Sequence, residues 1–554
     1  MKKIIVYLLM ACNLFTAQSQ WSGNPSVNNI LSNKAGNEYN PIAVSDAVNG
    51  SLIFFSDQIN GDIYAQRITT NGALAWGSSS NPVNVCVTAG QKFEVTAIPD
   101  GAGGAYVAWS DYRHDPNIGE IYLQKISSTG AIQWVANGLR VTNNTSSDDL
   151  KPVLCQDGLG GVLVTWYGDD AVAQTVQNYA QRYNSAGTAL WTANGVQVTT
   201  AAGFRASTSI LPDGANGAII FYLDTRNDPN GLNYAFLNGN NLTNTDIYGQ
   251  RLSAAGARLW GNDGSAIITA PGNQNDEIVS DAIADGSGNI ILVFSDGRND
   301  PGDYTNYDIF AQKVNSSGVP QWAVNGIPVC TEVGNQFVTD FASDGAGGVV
   351  VSMDFESVGR LYAQRITSMG AAAWAVGGVA VSEAGDLIFD GTIVADASGN
   401  SIFTFSATNS NTLKAQKLNS AGVLQWGVAG SVVCNNPAAN ARFPSLTAST
   451  AGSVIISWND SRNNLAASGE DIYVSKVLAN GILAATTGSS SVTVSDGNWN
   501  SPATWAGGII PPTGATVVIR HNVTGNINAS CASVTVQSPG NLSVNPGIVI
   551  SITN

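Results

Sequence analysis

Histidine is nearly absent: the 554 residues hold two, His114 and His521. That excludes an HExxH helix and any multi-histidine zinc site. Charge is scarce too. Charged side chains make up 12% of the chain and lean acidic, 24 Lys and Arg against 40 Asp and Glu, a net −16. A surface of that sign repels phosphate backbones, so nucleic acid is excluded as a partner. After the first twenty residues no apolar run is long enough to span a bilayer as a helix. No G-x-S-x-G elbow, Walker loop or dinucleotide fingerprint is present. The S-x-D-x-G-x-x-W box of sialidases is missing as well, Ser295-Asp296-Gly297 being only a fragment of it. A Ser-His-Asp triad would depend on His114, in a loop and without supporting context.

Residues 1–20, MKKIIVYLLMACNLFTAQSQ, have the three parts of a secretory signal peptide. Lys2 and Lys3 precede an apolar core from Ile4 to Ala17, and Ala17-Gln18-Ser19 offers small residues for cleavage. Its removal leaves 22 basic residues against 40 acidic, or −18. Leu9-Met10-Ala11-Cys12 also resembles a lipobox, which makes a lipid anchor at Cys12 the second reading; the apolar run continuing past Cys12 ranks it below cleavage. Either way the chain is expected to be secreted or held at the outer cell surface. Cys86, Cys330 and Cys434 occupy one slot of a repeat in non-neighbouring copies, too far apart for a disulfide and suited to a small buried hydrophobe. Cys155 and Cys531 have no evident partner, so no disulfide framework is expected.

What the chain has in quantity is glycine, 60 residues, and a repeat. Asp100–Thr142, DGAGGAYVAWSDYRHDPNIGEIYLQKISSTGAIQWVANGLRVT, shows the unit. An Asp-Gly-x-Gly-Gly turn leads into a β-rich run ending in Asp, then a loop, then an alternating Tyr-x-Gln-Lys/Arg strand. A second turn and a tryptophan segment close it, with no helical period anywhere. The second-turn glycines Gly72, Gly130, Gly187, Gly256, Gly318, Gly370, Gly422 and Gly481 mark eight copies. Four short strands recurring every 52 to about 70 residues predict a β-propeller, with the tryptophan strand outermost in each blade.

Trp76, Trp134, Trp191, Trp260, Trp322, Trp374 and Trp426 follow the second turn in copies one to seven, and copy eight has no counterpart. Trp21–Val27 matches Trp76–Val83, so the missing piece stands at the other end of the chain. A segment of the N-terminus that completes the last blade closes a ring and leaves no free sheet edge. The third strand keeps a small slot (Ala65, Ala180, Gly249, Ala311, Ala363, Ala415), as close blade packing requires. The tryptophans are expected in the core between blades.

The composition shifts near Thr486. Residues 486–495 read as a linker and 496–554 as a β-solenoid-like module, with strands at Thr516–Ile519, Ser533–Val536 and Asn541–Val544. The fold expectation is therefore all-β: a signal peptide at 1–20, an eight-bladed propeller at 21–485 closed by the N-terminal segment, a linker and the small module.

The repeating DGxGG…W.D.R…DIYAQK…G…W..NG pattern, over Trp21 to about Leu483, resembles secreted propeller proteins of Gram-negative bacteria that use type IX secretion. The tail, GNWNSPATWAGG…P..GATVVI, is similar to a module that often opens a β-helix in such proteins. The resemblance implies fold and an extracellular location. It implies no particular activity, since propellers host binders and enzymes alike. Proteins of that kind end in a sorting domain not found here, so the chain is expected to continue past Asn554 or to have that end covered by another molecule.

Four copies end the second strand in Asp-x-Arg: Asp111/Arg113, Asp224/Arg226, Asp296/Arg298 and Asp460/Arg462. Copies one, six and seven lack the arginine. A motif present in some blades and lost in others is more often a brace than an active centre, by roughly four to one, since carboxylate–guanidinium pairing is a common structural device. The loops that follow are the candidate ligand face. The longest, Asn227–Thr245, offers Tyr234 and Phe236 among asparagines, a mix suited to stacking on a sugar while bonding its hydroxyls; an ordered Asn/Gly surface loop accounts for it equally. Asp224, Asp228, Asp296 and Asp300 are weak calcium-ligand candidates without EF-hand spacing, and Asp-Pro turns explain the same residues without metal. No other cofactor is expected. The expected function is extracellular recognition or adhesion, without catalysis, toward a polysaccharide or a surface protein. The alternatives are a glycoside hydrolase or lyase using an acid pair on the same face, and a structural spacer.

Overall fold

The computed structural model describes residues 21–552 apart from 229–243, 273–281, 300–306, 356–358, 387, 389, 464–468, 486–489, 506–509, 512–514 and 538. Contacts divide the chain into two compact units: Pro25–Ala484, and a second that joins residues from Ala485 onward with those up to Asn24. The first is an eight-bladed β-propeller of eight four-stranded antiparallel sheets. Blade one is made of Glu38–Ser45, Ser51–Asp57, Ile63–Ile68 and Val83–Cys86, in that order from the inside out.

The ring is closed. The first strand of each blade touches the first strand of the next, and the eighth touches the first. The outer strand of blade eight is Asn29–Ser32, which pairs antiparallel with Asp471–Val477. The N-terminal segment thus completes the last blade, as the displaced tryptophan segment predicts. The seam is bonded further: the Glu38 amide donates to the Glu470 carbonyl (2.9 Å), the Asn40 amide to Asn459 Oδ1 (3.0 Å) and the Ala43 amide to Ser445 Oγ (2.9 Å).

Each repeated residue type has a structural task. In the first turn, Asp100 Oδ1 accepts the Ala102 and Gly104 amides, both at 2.8 Å, and Asp46, Asp157, Asp213 and Asp344 do the same in their blades. The cation of the Tyr-x-Gln-Lys/Arg strand meets that aspartate, as in Arg67–Asp46 (2.9 Å), Arg182–Asp157 (2.9 Å) and Lys417–Asp396 (2.7 Å). The glutamine of the strand is buried and accepts the tryptophan amide ten residues on, Gln66 Oε1 from Trp76 at 3.1 Å and Gln250 Oε1 from Trp260 at 2.9 Å.

That bond explains a difference from the sequence expectation. The tryptophan segment is not the outermost strand. It contributes single bridges such as Ile126–Ile132, and the outer strand lies beyond it, Val83–Cys86 in blade one and Leu139–Arg140 in blade two. The backbone leaves the ladder because the indole is inserted under the next blade. Trp76 Nε1 donates to the Ser128 carbonyl (3.1 Å), Trp191 to Ala254 (3.0 Å) and Trp426 to Ala479 (3.0 Å). The glycine of that next turn lies flat on the ring: a Cβ on Gly130 would stand 2.9 Å from Trp76, and its φ of 84° suits glycine. The small slot of the third strand is fully buried, Ala65, Ala180, Ala311, Ala363 and Ala415 all at 0% exposure.

The second unit carries two parallel sheets. Ser490–Val492, Ala515–Ile519, Ala529–Val536 and Ile550–Ile552 form one, and Gly497–Asn498, Asn522–Gly525 and Asn541–Val544 the other. Trp499 and Trp505 pack edge to face (5.2 Å) over its core of Val517, Ile519 and Val523. The pairing of Ser490–Val492 with Thr516–Val518 draws part of the 486–495 stretch into the sheet.

Candidate functional site

In every blade the first strand begins, and the second strand ends, on one face of the ring; the Asp-Gly turns and tryptophan joints lie on the other. The Asp-x-Arg motifs therefore sit together on the first face. Asp111, Asp224, Asp296 and Asp460 are each 0% exposed. Each bonds the arginine two residues on at 2.5 Å, and each accepts that arginine's backbone amide at 2.8–3.0 Å. The guanidinium then lies over an aromatic ring of the third strand: Arg113 on Tyr122 (3.9 Å), Arg226 on Tyr248 (3.8 Å), Arg298 on Phe310 (3.9 Å), Arg462 on Tyr473 (4.1 Å). Burial works against charge on Arg113, Arg226 and Arg462, yet their bonds to the paired aspartates outweigh it and raise all three pKa values. Arg113 and Arg462 also reach the preceding blade, donating to Cys86 Sγ and Cys434 Sγ at 3.2 Å. The five cysteines of the described residues are buried and free.

The residue after each arginine completes the motif. Asn227 donates to Asp246 (2.6 Å), Asn299 to Asp308 (2.5 Å) and Asn463 to Asp471 (2.7 Å). Burial raises the pKa of all three acids. Blade two holds His114 and Glu120 at these positions, with His114 Nδ1 2.8 Å from Glu120 Oε2 and Arg140 on the other carboxylate oxygen. Asp228 is buried and accepts the Asn244 amide at 2.7 Å. Tyr234, Phe236 and Asp300 lie outside the described residues, as does most of the Asn227–Thr245 loop. Among the described residues no group of three or more His, Cys, Asp or Glu side chains is placed to hold a metal ion. No helix there is long and apolar enough to cross a membrane.

Closer to the axis are groups the sequence did not single out. Glu94 of blade two accepts the Lys151 amide of blade three (2.7 Å). Asp340 of blade six accepts the Ile393 amide of blade seven (2.9 Å), and Asp390 of blade seven the Phe443 amide of blade eight (2.8 Å). These acids latch one blade to the next, and burial raises the pKa of Asp390. Beside them stand two exposed aromatics, Phe93 (44%), in edge contact with Tyr112 at 5.6 Å, and Phe443 (50%). Sequence alone carried little signal for this layer: Glu94 and Asp390 stand six residues before the turn aspartates Asp100 and Asp396, but Asp340 stands four before Asp344. A separate groove of 510 Å³ opens where the tryptophan joints of blades three and four meet, lined by Thr192, Gln197, Arg258 and Asn262 among others. Arg258 is spent there on the Gln197 and Val198 carbonyls.

No family model matches the chain, and no curated protein sequence does. Its fold is similar to solved structures of low identity. A puromycin hydrolase shares 14% identity with TM-score 0.42, the match covering 78% of this chain and 59% of the hydrolase. A Hadza microbial sialidase shares 11% with TM-score 0.37, over 67% of this chain and 76% of the sialidase. An ulvan lyase shares 10% with TM-score 0.42, over 82% of this chain and 98% of the lyase.

Proposed function

We propose that the protein is a recognition or adhesion module working outside the cell, without catalysis. In this reading the face bearing the Asp-x-Arg loops binds a polysaccharide or another surface protein. One observation carries it. The four motif carboxylates are buried and already closed by arginines, while the side chains exposed on the same face include the aromatic and amide-bearing Phe93, Phe443 and Asn40. Buried, paired acids brace a loop; exposed rings and amides meet sugars and protein surfaces. Tyr234 and Phe236, from the sequence that follows the second strand of blade four, are proposed as further ligand contacts. The signal-like leader and the resemblance to type IX secreted propellers support secretion or surface display, with a lipid anchor at Cys12 as the second route.

The test is a glycan and surface-protein array on the purified chain, with release of reducing ends assayed in parallel. Retention of a ligand without release is the expected result. Release of sugar would replace the binder with a glycoside hydrolase or lyase, and neither binding nor release would leave a structural spacer.

A further inference from the structure

At the start of their first strands, blades eight, one, two and three share a feature. Each has a bulge whose first residue is a non-glycine in the left-handed region: Phe443 (φ 51°), Asn40 (55°), Glu94 (55°) and Lys151 (50°). The chain elsewhere gives such positions to glycine or to small residues. Of fifteen non-glycine residues with positive φ among those described, nine are Asn and two Ala, leaving Glu94, Lys151, Gln174 and Phe443. Three of these four fall on this one bulge position. A bulky residue is strained there, and a bulge re-aims its side chain.

The four blades are consecutive around the ring, and their first strands touch in turn. They present an unbroken arc on the recognition face. Phe443, Asn40, Glu94 and Lys151 are all exposed, as are the adjoining Arg442 and Phe93. The arc has a charge pattern. Glu94 Oε2 is engaged by Ser110 Oγ (2.8 Å) and the Lys151 amide, and Asp148 Oδ1 by the Gly119 amide (2.6 Å). The ammonium of Lys151 and the guanidinium of Arg442 stand at its two ends; the latter donates to Asn440 Oδ1 (3.1 Å), and its charge opposes the burial-driven rise of the Asp390 pKa. On a chain of net charge −16, two exposed cations flanking exposed phenyl rings suit a ligand with apolar ring faces and regularly spaced anionic groups.

We infer that this arc is the binding site and that its ligand is an acidic polysaccharide, bearing carboxylate or sulfate groups. The rings of Phe93 and Phe443 stack on sugar faces, Asn40 bonds hydroxyls, and Arg442 and Lys151 take the anionic groups. The inference rests on the recognition reading above and adds both the residues and the ligand class. Titration of the full chain with a polyuronate, dextran sulfate and neutral dextran tests it, at two salt concentrations. The arc predicts binding to one or both anionic polymers that weakens with salt, and much weaker binding to dextran. The double variant Arg442→Ala/Lys151→Ala should lose at least tenfold in affinity while melting at the wild-type temperature, and Phe443→Ala should lose affinity for both anionic polymers. Val376→Ser, on the opposite face, should change nothing. Undiminished affinity in the double variant overturns the arc and leaves the recognition reading standing. Equal or tighter binding of neutral dextran overturns the ligand class. Binding of none of the three overturns the polysaccharide reading itself.

Discussion

Glu38 shows how far a single residue departs from its usual chemistry in this ring. It begins the first strand of blade one, is 1% exposed, and takes a 2.6 Å hydrogen bond from Ser32 Oγ in the strand that closes blade eight. Burial pushes its pKa up from the ordinary 4.5 to about 8, with the Ser32 bond opposing and Asp471 adding to the rise. The sign follows from linkage. The folded state holds this proton more tightly than the unfolded one, so the stability is fully present below about 4.5 and is lost as pH rises through about 8. The protein should therefore melt lower at pH 9 than at pH 6. Glu38→Gln should remove much of that difference, a gain at pH 9 on the order of 3 kcal/mol. Melting temperature against pH for both proteins checks it. Nothing in the sequence marks this group: a glutamate ahead of a strand looks exposed until the ring closes over it.

At the scale of the element, the joint between tryptophan and glycine holds one blade to the next, and it was legible in the spacing of the seven tryptophans. The outer strands were not, because two to four residues carry too little alternation to stand out from a loop. The bulges were hidden for another reason: only packing around the axis makes a left-handed Glu94 or Lys151 tolerable. The joint predicts a graded effect. Gly370→Ala places a Cβ 3.0 Å from Trp322 at φ 83°, whereas Gly286→Ala, at φ 77°, meets nothing within 4 Å. The second variant should lose about 1 kcal/mol from backbone strain and the first about 2–3 kcal/mol, read from urea midpoints. Blade eight offers a gain. Ser449 stands there where most blades carry the turn aspartate, its amide closing the same turn on the Ser453 carbonyl (2.8 Å), and burial lowers the pKa of Lys476, which donates to the neighbouring Thr450 Oγ1 at 3.2 Å. Ser449→Asp should pair that cation as Asp396 pairs Lys417, adding about 1 kcal/mol and raising the urea midpoint.

At the scale of the whole molecule, the candidate face exists only because eight units close on themselves. The Asp-x-Arg residues were visible as a series in the sequence, and their places at one end of four blades follow from the repeat. Their burial was not visible, since Asp111 and Arg113 spaced two apart read equally well as an exposed pair. Nor could the sequence show that the exposed aromatics come from the first strands, which carry the weakest repeat signature of the four. The arc over blades eight, one, two and three crosses the seam between the two ends of the ring, so it stands or falls with closure. A cross-seam disulfide tests that most directly. Asn29 and Val474 are direct partners in the closing strand pair, within bridging range for opposed antiparallel residues. The variant Asn29→Cys/Val474→Cys should oxidise within one chain, migrate faster than its reduced form on a denaturing gel, and melt higher than wild type. A cross-link that forms only between chains, or none at all in the folded protein, would contradict the closed ring.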